Sequence, residues 1–342
     1  MINKSKKYIS KIIGGRKSKN MKSKKKKNNK KILHIQHNIG SIDHIVNKEI
    51  IDPDGNIVNK KQKGSKPIRN IYNYILTRPI QDIYTLQEVQ EGSTPYKKEK
   101  KIGKHKFFCL YNPTGFLYYT NEKENKIGKI DHGCMIVINL EKFKTKKIIS
   151  NYDKHKPELS LRSTPWVIIQ HKKTGENIGV LSVHGIIASP LNDKKIKKLT
   201  KFYKKLIEQI NFVKGKKIIG TDINLNIFKP NLNPFDNLDK KGKEMLNKNS
   251  GKLLRLIEEF KDTLIKNKVK THRDYHKATN YNENKGIKTY KECVDFSFIS
   301  KNIKVKNCLD LKYYKGSTPK YKSSNELVND FDHSALITEL QI

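Results

Sequence analysis

In a chain with 72 lysines and arginines and only 33 aspartates and glutamates, the acidic and other polar residues that close apolar runs stand out. Asn38 ends ILHIQHN, Glu88 ends DIYTLQE and His184 ends IGVLSVH. Asp222 and Asn224 fall in GTDIN, Asp295 in VDFSFIS, and Asp332 and His333 stand just before ALITEL. A polar group at the end of a buried strand is costly unless it has a partner. Carboxylate and amide oxygens are hard ligands suited to Mg2+. Histidine is the usual acid–base side chain near neutral pH. If the strand ends converge, these residues satisfy one another around a cation. Taken singly, each has an ordinary explanation as a turn former, a hydrogen-bonded core histidine or an incomplete calcium-loop fragment. Side-chain alternation predicts that Asp222 and Asn224 share a face, and that His34 and His37 do not.

The elements that must position these residues follow from the apolar pattern. Strands are predicted over ILHIQHN, DIYTLQE, KFFCLY, GCMIVIN, PWVIIQ, IGVLSVH, KKIIGTD, VDFSFIS, KVKNCLDL and ALITEL. Ile196, Leu199, Tyr203, Leu206, Ile207 and Ile210 lie on one helical stripe, with lysines opposite and Gly215 as the stop. A second helix is predicted around Leu253, Leu254, Ile257 and Phe260. A short one carries Ile68, Ile71, Tyr72, Ile75 and Leu76 and ends at Pro79. The segments 41–66, 89–104, 139–160, 229–242 and 266–291 read as loops, and Trp166 as core. About ten strands with two or three helices, and strands paired in sequence as often as alternating with helices, argue against a doubly wound parallel sheet. The expected class is α/β (α+β): a four-layer sandwich of two packed mixed β-sheets with helices outside.

The ordered set N…LQE…VH…DxN…VDF…DH, with an apolar strand before nearly every member, resembles the endonuclease/exonuclease/phosphatase superfamily. It is most similar to the pancreatic-deoxyribonuclease type. LQEVQ resembles that type's QEV signature, VDFSFIS its xDYIxxS strand, and FDHSAL its SDHxPV ending. Four positions depart: Thr221 replaces the usual glycine before the aspartate, and Ser182 the usual asparagine. Cys293–Val294 replace the usual arginine, and Phe331 the serine before Asp332. The resemblance covers 32–342 and implies a Mg2+ site of Asn38, Glu88 and Asp332, with Mn2+ or a supporting Ca2+ as alternatives. It implies that Asp222 and Asn224 hold the attacking water and a phosphate oxygen. His333, oriented by Asp295, is one acid–base group and His184 the second, with Asp131 the candidate partner of His184. Arg162, one of only six arginines, lies in LRSTPW and is a phosphate-contact candidate.

The net charge is +39 and the mean hydropathy −0.75. That excludes a typical acidic metabolic enzyme and points to a polyanionic partner. Residues 1–31 hold 14 of the basic residues and no acid, which leaves 58 − 33 = +25 for the rest. They read as a disordered basic arm that suits nuclear targeting or nucleic-acid contact. The abundance of lysine, asparagine and isoleucine also matches AT-rich codons. Cys109, Cys134, Cys293 and Cys308 are scattered, as in a reduced intracellular chain. No run approaches a membrane span or a secretory signal. The expected function is a Mg2+-dependent phosphodiesterase that hydrolyses nucleic acid, DNA ahead of RNA, as a monomer. The alternatives are a phosphoinositide, sphingomyelin or other phosphate-ester hydrolase, and an inert nucleic-acid binder.

Overall fold

The computed structural model describes residues 31–39, 50–51, 57–58, 75, 80–89, 91–121, 126–149, 162–186, 192–225, 240, 244, 254–263, 269–272, 278–282, 286–290, 295–311 and 335–342. The basic arm up to residue 30, the short helix around 68–76 apart from Ile75, and the 229–239 segment lie outside them. So do Asp332 and His333.

Seven strands form one mixed sheet. They are β1 (Lys31–Asn38), β4 (Ile83–Val89), β5 (Tyr96–Ile102), β6 (His105–Asn121), β7 (Lys126–Asn139), β16 (Lys304–Leu311) and β17 (Ala335–Gln341), in the order β16-β17-β1-β4-β7-β6-β5. Six form the second: β8 (Phe143–Ile149), β9 (Trp166–His171), β10 (Asn177–His184), β11 (Lys216–Asp222), β12 (Val269–His272) and β15 (Asp295–Ser300), in the order β12-β15-β11-β10-β9-β8. Two small hairpins join β2 (Ile50–Ile51) to β3 (Ile57–Val58), and β13 (Ala278–Asn282) to β14 (Gly286–Tyr290). The pairs β1–β4 and β10–β11 are parallel, and the other pairings are antiparallel.

Three stacked apolar clusters define the layers. Ile32, Ile83, Ile136, Val167, Val180, Ile218 and Ile299 come from both sheets and fill the space between them. Leu181, Val183, Ile219, Phe296 and Phe298 face outward from the six-stranded sheet, beneath helix α1 (Asp193–Phe212) and the helical residues 254–263. Ile35, Tyr84, Leu86, Met135 and Val137 face outward from the seven-stranded sheet and meet Ile75, a helical residue. Three cores between four layers are the sandwich expected from the pattern. Helix α1 buries Leu199, Tyr203, Leu206, Ile207 and Ile210, as the stripe predicts. Asn192 caps it by accepting from the Lys195 backbone N–H at 2.8 Å. It ends at Phe212, short of Gly215, whose φ of +85° serves the turn into β11. Among the described residues no helix is long and apolar enough to cross a membrane.

Four predicted loops contain strands, the 41–66 segment through the β2–β3 hairpin. Tyr96–Ile102, YKKEKKI, is the edge of its sheet. Edge strands tolerate charge because one side faces water, so lysines hid it from an apolar count. Phe143–Ile149 is likewise an edge strand, and 269–290 supplies β12 and the β13–β14 hairpin.

The inner face of β1 changes character along its length. Ile32, His34, Gln36 and Asn38 alternate on it, apolar at one end and polar at the other, while His37 points to the opposite side. His34 is fully buried and its Nε2 meets Thr85 Oγ1 at 2.8 Å. Burial pulls its pKa down from 6.5 to about 3. The unfolded chain therefore binds a proton that the folded chain refuses between those values, and His34 costs stability as pH falls through that window. Urea unfolding between pH 7 and pH 4 should show a His34 contribution of up to about 1.4 kcal/mol per pH unit. A His34→Gln variant should lack that part of the slope.

Candidate active site

The polar end of the inter-sheet layer gathers the strand-end residues. His184, Asp222 and Asp295 sit in one row, because β10, β11 and β15 pair with His184 opposite Asp222 and Asp222 opposite Asp295. Asn38 arrives from β1 and Glu88 from β4, in the facing sheet. Glu88 reaches inward through a bulge. Leu86 pairs with Met135 and Val89 with Gly133, so β4 holds one residue more than β7, and Glu88 takes φ +54°. A bulge re-aims a side chain in this way at a local conformational cost.

The Asn38 amide nitrogen donates to Asp222 Oδ2 at 2.7 Å and to Glu88 Oε1 at 3.2 Å, tying the two sheets together. His184 Nε2 lies 3.3 Å from Glu88 Oε1 and 3.8 Å from Asp222 Oδ2. The ligand atoms of Glu88, His184 and Asp222 fall within 4.8 Å of one another, a spacing that suits one cation. Asp222 and Asp295 are buried, and two carboxylates opposite each other repel. A hard cation fits this donor set because it neutralises charge that the burial otherwise penalises.

Asn224 differs from its predicted placement. Strand β11 ends at Asp222, and Asn224 turns away with φ +56° instead of continuing the alternation. Its backbone N–H donates to Asp222 Oδ1 at 2.9 Å and its side chain to the Gly185 carbonyl at 3.2 Å. The two residues stay together through an Asx-type turn rather than a shared strand face.

Arg162 sits beside the site on a short stretch that precedes β9 and runs alongside the end of β10. Ser163 bridges to Val183, and the His184 N–H donates to the Arg162 carbonyl at 2.7 Å. The guanidinium donates to the Gly185 carbonyl at 2.7 Å and to His184 Nδ1 at 3.0 Å. Burial lowers its pKa, while Glu88, Cys134 and Asp222 hold it up. The described partner of His184 Nδ1 is therefore a cation rather than a carboxylate. The side chain of Asp131 lies outside the described residues, and its neighbour His132 places its ring centroid 5.6 Å from that of His184.

Beneath the site runs a buried polar ladder that the motif reading missed. Gln36 Nε2 donates to Gln87 Oε1 at 2.6 Å and to Asp295 Oδ1 at 3.3 Å. Gln87 Nε2 donates to Ser182 Oγ at 2.8 Å, and Ser182 Oγ to the Leu86 carbonyl at 2.9 Å. Thr85 Oγ1 donates to Gln36 Oε1 at 3.2 Å. The available signal was the polar run His34, Gln36, Asn38 at alternate positions. It marks one strand face as polar-partnered before any motif is invoked. Asp332 and His333 are outside the described residues, so the structure brings together Asn38, Glu88, His184, Asp222, Asn224, Asp295 and Arg162.

In motif order the chain resembles the endonuclease/exonuclease/phosphatase superfamily. No family model matches it, and no curated protein does. Among solved structures it is similar to an endonuclease/exonuclease/phosphatase from Bacteroides vulgatus, with a TM-score of 0.47 and 11% identity over 91% of this chain and 99% of that one. It is similar to the human Nocturnin catalytic domain with bound sulfate at a TM-score of 0.47 and 12% identity, over 91% and 94% of the chains. D. rerio TDP2 complexed with a single-strand DNA product gives a TM-score of 0.43 and 12% identity, over 91% and 99%. The pancreatic-deoxyribonuclease type is not singled out among them. Likeness this low carries no argument about activity, which rests on the site itself.

Gly220 permits the ladder. A Cβ there would overlap Thr85 Oγ1 and lie 2.5 Å from Gln36 Oε1. Gly220→Ala should destabilise the fold by about 1–3 kcal/mol, as overpacking does. Urea unfolding measures it, and an unchanged midpoint would show that the sheets can part without cost.

Proposed function

We propose that the chain is a Mg2+-dependent phosphodiesterase that hydrolyses nucleic acid. The observation that supports this reading is the meeting of Glu88 and Asp222, from different sheets, on one Asn38 amide beside a buried histidine. The two carboxylates present hard oxygens, with the Asn38 amide nitrogen donating to both, a donor set that suits a divalent cation. Glu88 and Asp222 would hold it, with Asp332 completing the set and Mn2+ as a substitute. When bound, the cation polarises a phosphoryl oxygen and offsets the charge that develops there.

The rest of the chemistry belongs to side chains. Asn224, fixed by the Gly185 carbonyl, orients a phosphate oxygen or the attacking water next to Asp222. Asp295, held by Gln36, orients His333 as the acid–base group. His184 contacts the phosphate or the leaving oxygen. The +25 carried by residues 32–342 favours a long polyanion over a small ester. The lysine face of α1, with Lys194, Lys197, Lys198, Lys201 and Lys204 exposed, adds positive surface charge of the sign a polyanion meets. The basic arm over 1–31 would contribute further counterion release.

Purified protein with Mg2+ should cleave plasmid DNA or RNA and leave inositol phosphates and sphingomyelin intact. Cleavage of the small esters alone would overturn the substrate class. Glu88→Gln keeps the shape and removes the charge, so turnover should fall about 100-fold, at the upper end for disturbed metal support. Near-normal turnover at saturating Mg2+ would remove Glu88 from the site. His333→Ala and Asp295→Asn should each cost roughly 10²–10⁴-fold and combine non-additively, because Asp295 acts through His333. A double variant whose loss equals the product of the singles would break that pairing.

A further inference from the structure

The Arg162–His184 contact has a direction that chemistry fixes. A guanidinium carries five N–H donors and no acceptor, and it stays charged in proteins. Arg162 Nη2 lies 3.0 Å from His184 Nδ1, so Nδ1 is the acceptor. A neutral imidazole with an accepting Nδ1 carries its proton on Nε2. Nη1 donates to the Gly185 carbonyl at 2.7 Å, which anchors the guanidinium at a second point, on the residue after the histidine. The ring is 1% exposed and the edge of His132 packs against it.

Nε2 is the atom that faces the carboxylates, 3.3 Å from Glu88 Oε1 and 3.8 Å from Asp222 Oδ2. Among the described residues it completes no hydrogen bond. Its spacing from those oxygens would also suit a third cation ligand. The two uses exclude one another. Coordination needs the Nε2 lone pair, which the proton already occupies. A metal-bound histidine normally donates its other N–H to a carboxylate, carbonyl or water, and here the guanidinium occupies that side as a donor. A hard cation also prefers oxygen to imidazole nitrogen.

We propose that Arg162 is a positioning residue that holds His184 as an Nε2–H donor. The cation then rests on carboxylate oxygens, and His184 addresses an oxygen of the bound phosphate. Only the identity of that acceptor rests on the phosphodiesterase reading. The tautomer and the cation's ligands are measurable without any substrate, so a failed nuclease assay would leave this test standing.

The experiment uses the full chain with 15N-labelled histidine and long-range 1H–15N correlation, with His184→Gln used to assign the ring. Wild-type protein should show the Nε2–H pattern at His184, and Mg2+ should leave Nε2 protonated. Arg162→Met, with melting followed to verify folding, should lose that pattern or mix the tautomers, while Arg162→Lys, which keeps a donor, should retain more of it. Mg2+ titration by calorimetry should give His184→Gln an affinity within about threefold of wild type, against a loss of at least about tenfold for Glu88→Gln. An Nδ1–H tautomer in the wild type, loss of the Nε2 proton on adding Mg2+, or a tenfold affinity loss in His184→Gln would each overturn the proposal.

Discussion

Glu88 and Asp222 come from different sheets and meet on one amide nitrogen, that of Asn38. Buried carboxylates repel one another and resist desolvation, so an arrangement of this kind persists only where donors and positive charge surround it. Much of the interior follows from that demand. The register of β10, β11 and β15 aligns His184, Asp222 and Asp295 in one row. The β4 bulge turns Glu88 inward, and Arg162 brings a guanidinium to the far side of His184.

The polar ladder is the second consequence. Asp295 takes a hydrogen bond from Gln36, which is tied to Gln87, which is tied to Ser182. Each amide is bonded across the gap between sheets, so the layer is specified by hydrogen-bond geometry as well as by packing. The absent side chain of Gly220 gives that network its room. Ser182, where the resembled family usually has asparagine, keeps a hydroxyl in the ladder and leaves space for the Gln87 amide.

Apolar periodicity made most of the architecture legible. The strands that carry Asn38, Glu88, His184, Asp222 and Asp295 lie where their runs of isoleucine, leucine and valine place them. The stripe of α1 was legible for the same reason. What escaped were elements whose pattern is set by solvent rather than by a core. YKKEKKI and FKTKKII are strands because a neighbour supplies their hydrogen bonds, and lysines on an edge do not oppose that. Local backbone turns escaped too. The left-handed conformations of Glu88 and Asn224 arise from a bulge and an Asx turn, which residue spacing does not encode. Arg162 was legible as a rare arginine near the site, but its hold on His184 Nδ1 depends on the bridge between Ser163 and Val183.

The β17 strand lies between β16 and β1, and Lys31 pairs with Gln341. The seven-stranded sheet is therefore completed by pairing between its first and last described strands. Loop-closure entropy must be met before those contacts form, which makes such topologies slow to fold. During synthesis, β1 lacks the partner on that side until residues 335–341 have emerged.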